Sequence, residues 1–191
     1  ISMPNQKTGI VPNKKWKKEK IGESWYAGET LISAIGQGFV LTNPFQLVVM
    51  TSIIASDGKM IEPTIIKGNR VNFKTNEKYF KEIKIIKKAM FKVVNENKGT
   101  AFKSRLEDIK FAGKTGTSQV RRISLSERES DDFREKEQEW KNRDHALFVG
   151  YMPYDDPKYS ISVIIEHGGS GASTAAPIAK QIFNYINELE V

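Results

Sequence analysis

Apolar and polar positions recur with different periods along this chain, and each period predicts an element. Over 45–55 nearly every position is apolar, which predicts a core helix buried on most of its surface. Asn43 suits its N-cap, Pro44 its first turn, and Asp57-Gly58 supplies a stop. Ile83, Ile86, Met90, Val93 and Val94 recur at steps of three and four with Lys84, Lys87, Lys88 and Lys92 between them. That spacing predicts an amphipathic helix ending near Asn95, after which Gly99-Thr100-Ala101 begins a short further element. Apolar runs over 109–120, 146–152 and 159–165 predict three strands. The last two are joined by a short turn over 153–158 containing Asp155-Asp156-Pro157, which favours antiparallel pairing. Tyr159, Ile161, Val163 and Ile165 then face one side. Ile178, Ile182, Ile186 and Leu189 form one stripe of a terminal helix packed back on the sheet. Helices, an antiparallel meander and a closing helix make the expected class α+β, with helices covering the sheet faces.

The remaining stretches punctuate this plan. Glycines and the Asn43-Pro44 step make 36–44 a tight loop feeding the first long helix, and Pro63 within 60–66 demotes that short strand to an edge. Lys14, Lys15, Lys17, Lys18 and Lys20 crowd a segment with no helical or alternating pattern, expected to be a solvated surface. Residues 121–144 are dense in charges of both signs and read as an exposed excursion between two strands. His167-Gly168-Gly169-Ser170-Gly171 reads as a flexible connection. No stretch approaches the roughly 20 apolar residues that cross a bilayer, and no secretory leader pattern opens the chain.

The 191 residues, 39% hydrophobic and 28% charged, describe an ordinary globular chain with room for one core. Cysteine is absent, which excludes disulfides, zinc–thiolate sites and cysteine nucleophiles. A formal charge of +7 suits an anionic partner such as nucleic acid, an acidic lipid surface or a cell-wall polymer, but equally a merely soluble basic domain. His145 and His167 lack the cysteine or carboxylate companions of a ligand set, so no metal is expected. His145 is expected to pack at a strand start, and His167 sits near the glycine-rich connection.

The sharpest chemical signal is Lys114-Thr115-Gly116-Thr117 on a predicted strand. Such a strand offers a lysine charge and threonine hydroxyls to a substrate carboxylate, and its glycine allows close approach of a ligand backbone. Four short residues also occur by chance in strands with a glycine bulge, so context decides. Trp25-Tyr26-Ala27-Gly28-Glu29-Thr30, Ile35-Gly36-Gln37-Gly38, Thr42-Asn43-Pro44-Phe45-Gln46-Leu47 and Asn97-Lys98-Gly99-Thr100-Ala101 precede that strand. Ser118-Gln119-Val120 continues it, and Asp144-His145-Ala146-Leu147-Phe148-Val149-Gly150-Tyr151-Met152-Pro153 follows. In this order, over almost all of the chain, they resemble class B penicillin-binding proteins, and the glutamine of Gly36-Gln37-Gly38 favours the elongation type, penicillin-binding protein 2.

That resemblance implies a β-lactamase/transpeptidase-like fold and acyl transfer between peptidoglycan stem peptides, with penicillins as mimics of the donor. It implies that Lys114, Thr115, Gly116 and Thr117 bind substrate, with Lys114 near the nucleophile's network and both threonines on the carboxylate. The Thr117 N–H would contribute to the oxyanion hole. It implies no cofactor and no nucleic acid. Implied partners are stem peptides, β-lactams, a membrane glycosyltransferase and cell-shape scaffold proteins, at the outer face of the cytoplasmic membrane.

The sequence departs from the family in one respect. The nucleophile motif Ser-x-x-Lys and the Ser-x-Asn motif have no credible copy. Ser56-Asp57-Gly58-Lys59 has the first spacing, but it falls at a helix exit and includes its Gly stop, whereas the family's nucleophile begins a helix whose first turn places the lysine beside the serine. The chain, opening on Ile1, is therefore expected to be the C-terminal portion of a transpeptidase domain, without its nucleophile or membrane anchor and inactive alone. A serine β-lactamase shares the Lys-Thr-Gly strand, but the surrounding motifs speak against it. A non-catalytic binding or β-lactam-sensing module is the rival from another class.

Overall fold

The computed structural model describes residues 7–67, 73–75, 77–120 and 139–190. Its centre is a three-stranded antiparallel meander of β3 (Ala112–Ser118), β4 (His145–Met152) and β5 (Tyr159–Ile165), in the order β3-β4-β5. A separate antiparallel pair, β1 (Lys59–Ile61) with β2 (Phe73–Thr75), lies earlier in the chain. Helices α1 (Lys14–Lys20), α2 (Ala27–Ala34), α3 (Pro44–Ala55) and α4 (Phe80–Asn95) precede the meander, and α5 (Ala176–Glu190) closes the chain. The expected α+β order is therefore present.

Register explains how the two sheet faces divide. Thr115 lies opposite Phe148 and Phe148 opposite Val163, while Lys114 lies opposite Val149 and Val149 opposite Ser162. Residues paired across an antiparallel ladder share a face. The Phe148 face carries the main core, where Ala146, Phe148 and Val163 meet Phe111, Val94, Ala175, Ala179 and Phe183, all buried. Tyr159, Ile161 and Ile165 pack against that core, as alternation predicts. The opposite face packs Ala112 and Tyr151 against Ala55 of α3 and Met90 of α4. Gly113 and Gly150 pair directly because the Phe148 ring needs their space: a Cβ on Gly113 would sit 2.1 Å from Phe148 Cζ.

Several expectations require correction. Residues 14–20 form α1 rather than an irregular surface, with Asn13 Oδ1 accepting from the Trp16 N–H as N-cap. Lys17 is only 1% exposed, because its ammonium lies 2.6 Å from Glu29 Oε1 and 3.3 Å from Glu23 Oε2, over the Tyr26 ring. Burial works against its charge, but the two carboxylates outweigh that and hold its pKa above the ordinary value. The Lys17 hydrogen bond, aided by the Tyr26 N–H, holds the Glu29 carboxyl below the ordinary range. A helix, α2, also stands where only a motif was read.

Helix α3 begins and ends as predicted, with the Asn43 cap and Pro44 in its first turn. It is not enclosed, however. Of its residues only Thr51 and Ala55 are buried, Met50 is 44% exposed, and Val49, Ile53, Pro63, Tyr79 and Ile83 help to line an open groove of about 620 Å³. Strand β1 stops at Ile61, short of Pro63. In α5 the inward stripe is Ala179, Phe183 and Ile186, with Ile178 beside it, while Leu189 is exposed. Of the charged stretch, 121–138 lie outside the described residues.

Candidate substrate-binding strand

Lys114, Thr115, Gly116 and Thr117 occupy the middle of β3, whose pairing with β4 runs without interruption from Ala112 to Ser118. Among the described residues its other edge has no strand partner. The motif is therefore an accessible sheet edge. Alternation puts Lys114 and Gly116 on the α3 face and both threonine side chains on the Phe148 face, so the four do not converge as one cluster. Lys114 is exposed, and its Nζ donates to the Thr115 carbonyl at 2.6 Å.

Three non-local contacts hold the strand. Thr100, in the turn after α4, shares a 2.8 Å hydrogen bond between its hydroxyl and that of Thr115. Gln37, between α2 and α3, donates from Nε2 to the Thr117 carbonyl at 3.0 Å. Gly171 N–H lies 3.5 Å from Thr117 Oγ1, and a Cβ on Gly171 would meet Gly116 O at 2.3 Å and Leu147 O at 2.4 Å. Only glycine lets the loop lie against the strand backbone there.

The loop carrying Gln37 is itself anchored. Gly36 and Gly38 adopt the left-handed conformation, with φ of 74° and 73°, so the glutamine is presented between two tight bends. Phe39 just beyond packs its ring on Trp16 of α1 at 5.4 Å, and Leu41 bridges to Ile10. The basic N-terminal segment thus supports the motif from a distance.

The histidines form a contact of their own at the same end of the sheet. His145 opens β4 opposite Ser118, and its Nδ1 accepts from the His167 N–H at 2.9 Å. His167 sits at φ 53° with its ring 4.5 Å from Trp140, and the Gly169 N–H donates to the Asp144 carbonyl at 2.8 Å. These bonds tie the glycine-rich connection to the start of β4. Among the described residues no three His, Asp or Glu side chains gather as a metal site. Ser56 caps the end of α3, its hydroxyl donating to the Ser52 carbonyl at 2.7 Å, which is a helix-terminating role.

Comparison with known proteins places these features in a family. The penicillin binding protein transpeptidase domain matches residues 1–184. A peptidoglycan D,D-transpeptidase MrdA of Acinetobacter baumannii is 33% identical over 97% of this chain, which corresponds to 28% of that protein. The Haemophilus influenzae protein of the same name is 32% identical over 97% of this chain and 30% of its own length. Among solved structures, penicillin-binding protein PBP2 of Helicobacter pylori in complex with MreC superimposes with a TM-score of 0.80 at 34% identity, over 97% of this chain and 32% of that one. PBP2 of Pseudomonas aeruginosa in complex with WCK 5153 gives 0.74 at 28% identity, over 97% of this chain and 39% of that one. The chain thus spans about 30% of the length of the curated relatives it matches.

Proposed function

Because this chain belongs to the penicillin binding protein transpeptidase family, we propose that it forms the C-terminal, substrate-holding portion of a serine-type peptidoglycan D,D-transpeptidase of the elongation branch. The observation that carries this reading is Lys114-Thr115-Gly116-Thr117 on an open strand edge, with the Thr117 carbonyl held by Gln37 and its hydroxyl by Gly171. In the reaction, a serine hydroxyl supplied by a preceding part of the domain adds to the penultimate D-alanine carbonyl of a stem peptide. An ester forms, the terminal D-alanine leaves with the serine proton on its amine, and the amine of a second stem peptide takes the acyl group and regenerates the hydroxyl.

In that scheme Lys114 supplies positive potential beside the nucleophile, and the Thr115 and Thr117 hydroxyls receive the substrate carboxylate. The Thr117 N–H, held in the ladder plane, faces the developing oxyanion, where one lost donor costs a factor of about 10² to 10³. Gly116 keeps that stretch of edge free of a side chain. β-Lactams enter the same path as donor mimics. By family, the complete protein is anchored in the cytoplasmic membrane, with its catalytic part on the outer face, beside a glycosyltransferase and scaffold proteins. Among the described residues no helix is long and apolar enough to cross a membrane.

Intact-mass measurement after incubation with penicillin tests the proposal. The chain alone should keep its mass, and a longer polypeptide carrying the preceding part of the domain should gain one penicillin on a serine upstream of Ile1. A stoichiometric adduct within these 191 residues, on Ser56 or elsewhere, would overturn the assignment of the nucleophile.

A further inference from the structure

The unpartnered edge of β3 is capped by side chains at three of its carbonyls. In an antiparallel strand the N–H and C=O of every second residue point to the same edge. Along β3 and the residue before it, the outward carbonyls of Phe111, Thr115 and Thr117 each accept a side-chain donor: Asn95 Nδ2 at 2.9 Å, Lys114 Nζ at 2.6 Å and Gln37 Nε2 at 3.0 Å. The three caps differ in what holds them. Asn95 is fixed by a second bond to the Phe91 carbonyl, and Lys114 is a flexible chain on the strand itself. Gln37 arrives from a loop 80 residues away and lands on the carbonyl of the residue that ends the Lys-Thr-Gly-Thr motif.

We infer that Gln37 sets the affinity of the docking edge for extended peptides, its amide competing for the carbonyl that an incoming peptide must take to pair beyond Gly116. The inference rests on the reading of β3 as the substrate-docking edge. An extended ligand adds to a sheet edge by exchanging backbone hydrogen bonds with it, and side chains set where that exchange stops. With Gln37 in place, a ligand gains the Thr117 carbonyl only by offering an N–H that displaces the glutamine amide. A peptide with an N–H at that position exchanges it for the glutamine bond, and one without leaves the glutamine in place and pairs no further than Thr115. Phe39 against Trp16 and the Leu41–Ile10 bridge hold the loop, so the cap is a positioned competitor rather than a loose side chain.

The experiment uses this chain, labelled with ¹⁵N and ¹³C, and an acetylated extended peptide ending in D-alanyl-D-alanine. A second peptide is N-methylated at the residue expected opposite Thr117. The variants are Gln37→Met, which keeps length but has no donor, and Gln37→Ala as a second truncation. In both, the Thr117 carbonyl ¹³C resonance should move before any ligand is added. Both should then bind the parent peptide about three- to tenfold more tightly than wild type, the range expected for one competing neutral hydrogen bond. The N-methylated peptide should bind wild type and variants alike. Binding at residues 114–117 that is unchanged or weakened in both variants would overturn the inference alone and make Gln37 a purely structural support. Absence of peptide-induced shifts at 114–117 in every protein would overturn the docking-edge reading, and this inference with it.

Discussion

Two glycines of the connection after β5 stand two residues apart and are needed for different physical reasons, which makes them a sharp test of how the loop is seated. Gly171 has ordinary backbone angles but no room: a Cβ would lie 2.3 Å from Gly116 O, 2.4 Å from Leu147 O and 2.9 Å from Gly116 N. All three are backbone atoms of the central ladder, so no rotamer change relieves the clash. Gly171→Ala must therefore push the loop off β3 by about an ångström, at an overpacking cost of about 1–3 kcal/mol. For a chain of this size that corresponds to a melting point lower by roughly 2–12 °C. Gly169 has the opposite character. Among the described residues nothing lies within 4 Å of its Cβ position, but its φ is 77°, so Gly169→Ala costs only the left-handed conformation, about 1–2 kcal/mol. Asparagine tolerates that conformation, so Gly169→Asn should melt closer to wild type than Gly169→Ala, whereas Gly171→Asn should be worse than Gly171→Ala. Thermal unfolding by circular dichroism reads all four, and amide spectra should show Gly116 and Thr117 moving only in the Gly171 variants. A Gly171→Ala protein melting within about 1 °C of wild type, with Gly116 and Thr117 unmoved, would refute the seating of this loop on the strand.

Other substitutions probe the core and its charges. Tyr151 is fully buried, its hydroxyl has no hydrogen-bond partner among the described residues, and burial, followed by the charges of Tyr154, Asp57 and Asp155, pushes its pKa up. A phenol whose folded pKa is raised holds its stabilisation below the unfolded value, about 10, and loses it as pH rises above that. Tyr151→Phe should therefore be neutral or up to about 1 kcal/mol more stable near neutrality and lose less stability between pH 9 and 11, read by urea unfolding. Glu29 has its folded pKa depressed by Lys17, so its contribution is present above the unfolded value, about 4.3, and is lost as pH falls through the lower folded one. Glu29→Gln should flatten the acid side of the stability profile; an unchanged acid limb would mean that the Lys17 contact adds nothing. Phe148, with 0% exposure at the centre of the main core, should cost about 3–5 kcal/mol as alanine, measured by the shift in urea midpoint at constant slope.

What the sequence makes legible is what depends on near neighbours. Strand β5 was readable to the residue because four apolar side chains alternate over seven positions, and the inward stripe of α4 because Ile83, Met90 and Val94 fall at helical spacing, although Ile86 stays exposed and Lys87 turns inward to Asp57. α3 shows where that reasoning fails. Its residues are apolar on every side, and composition then states only that water is unfavourable all round, not that protein covers each face. One side packs on β4 and β5 while another lines an open groove. Lys17 fails in the opposite way. A buried ammonium contradicts hydropathy, and only Glu23 and Glu29, six and twelve residues on, make it affordable to the fold.

The candidate site divides along the same line. Lys114 to Thr117 could be found because a strand with that chemistry is contiguous, whereas Gln37 and Thr100 lie 80 and 15 residues from their partners, and no spacing rule joins them. Their necessity follows from the edge itself. An exposed strand edge is a template for unwanted pairing, and pairing it permanently with another strand would close it to any ligand. Side-chain caps on the carbonyls of Phe111, Thr115 and Thr117 resolve the conflict, because an amide or ammonium satisfies a carbonyl yet can be exchanged one bond at a time. A strand that must be both protected and available therefore draws its partners from loops distant in sequence. For this reason the residues that tune such a strand become visible only once the chain is folded.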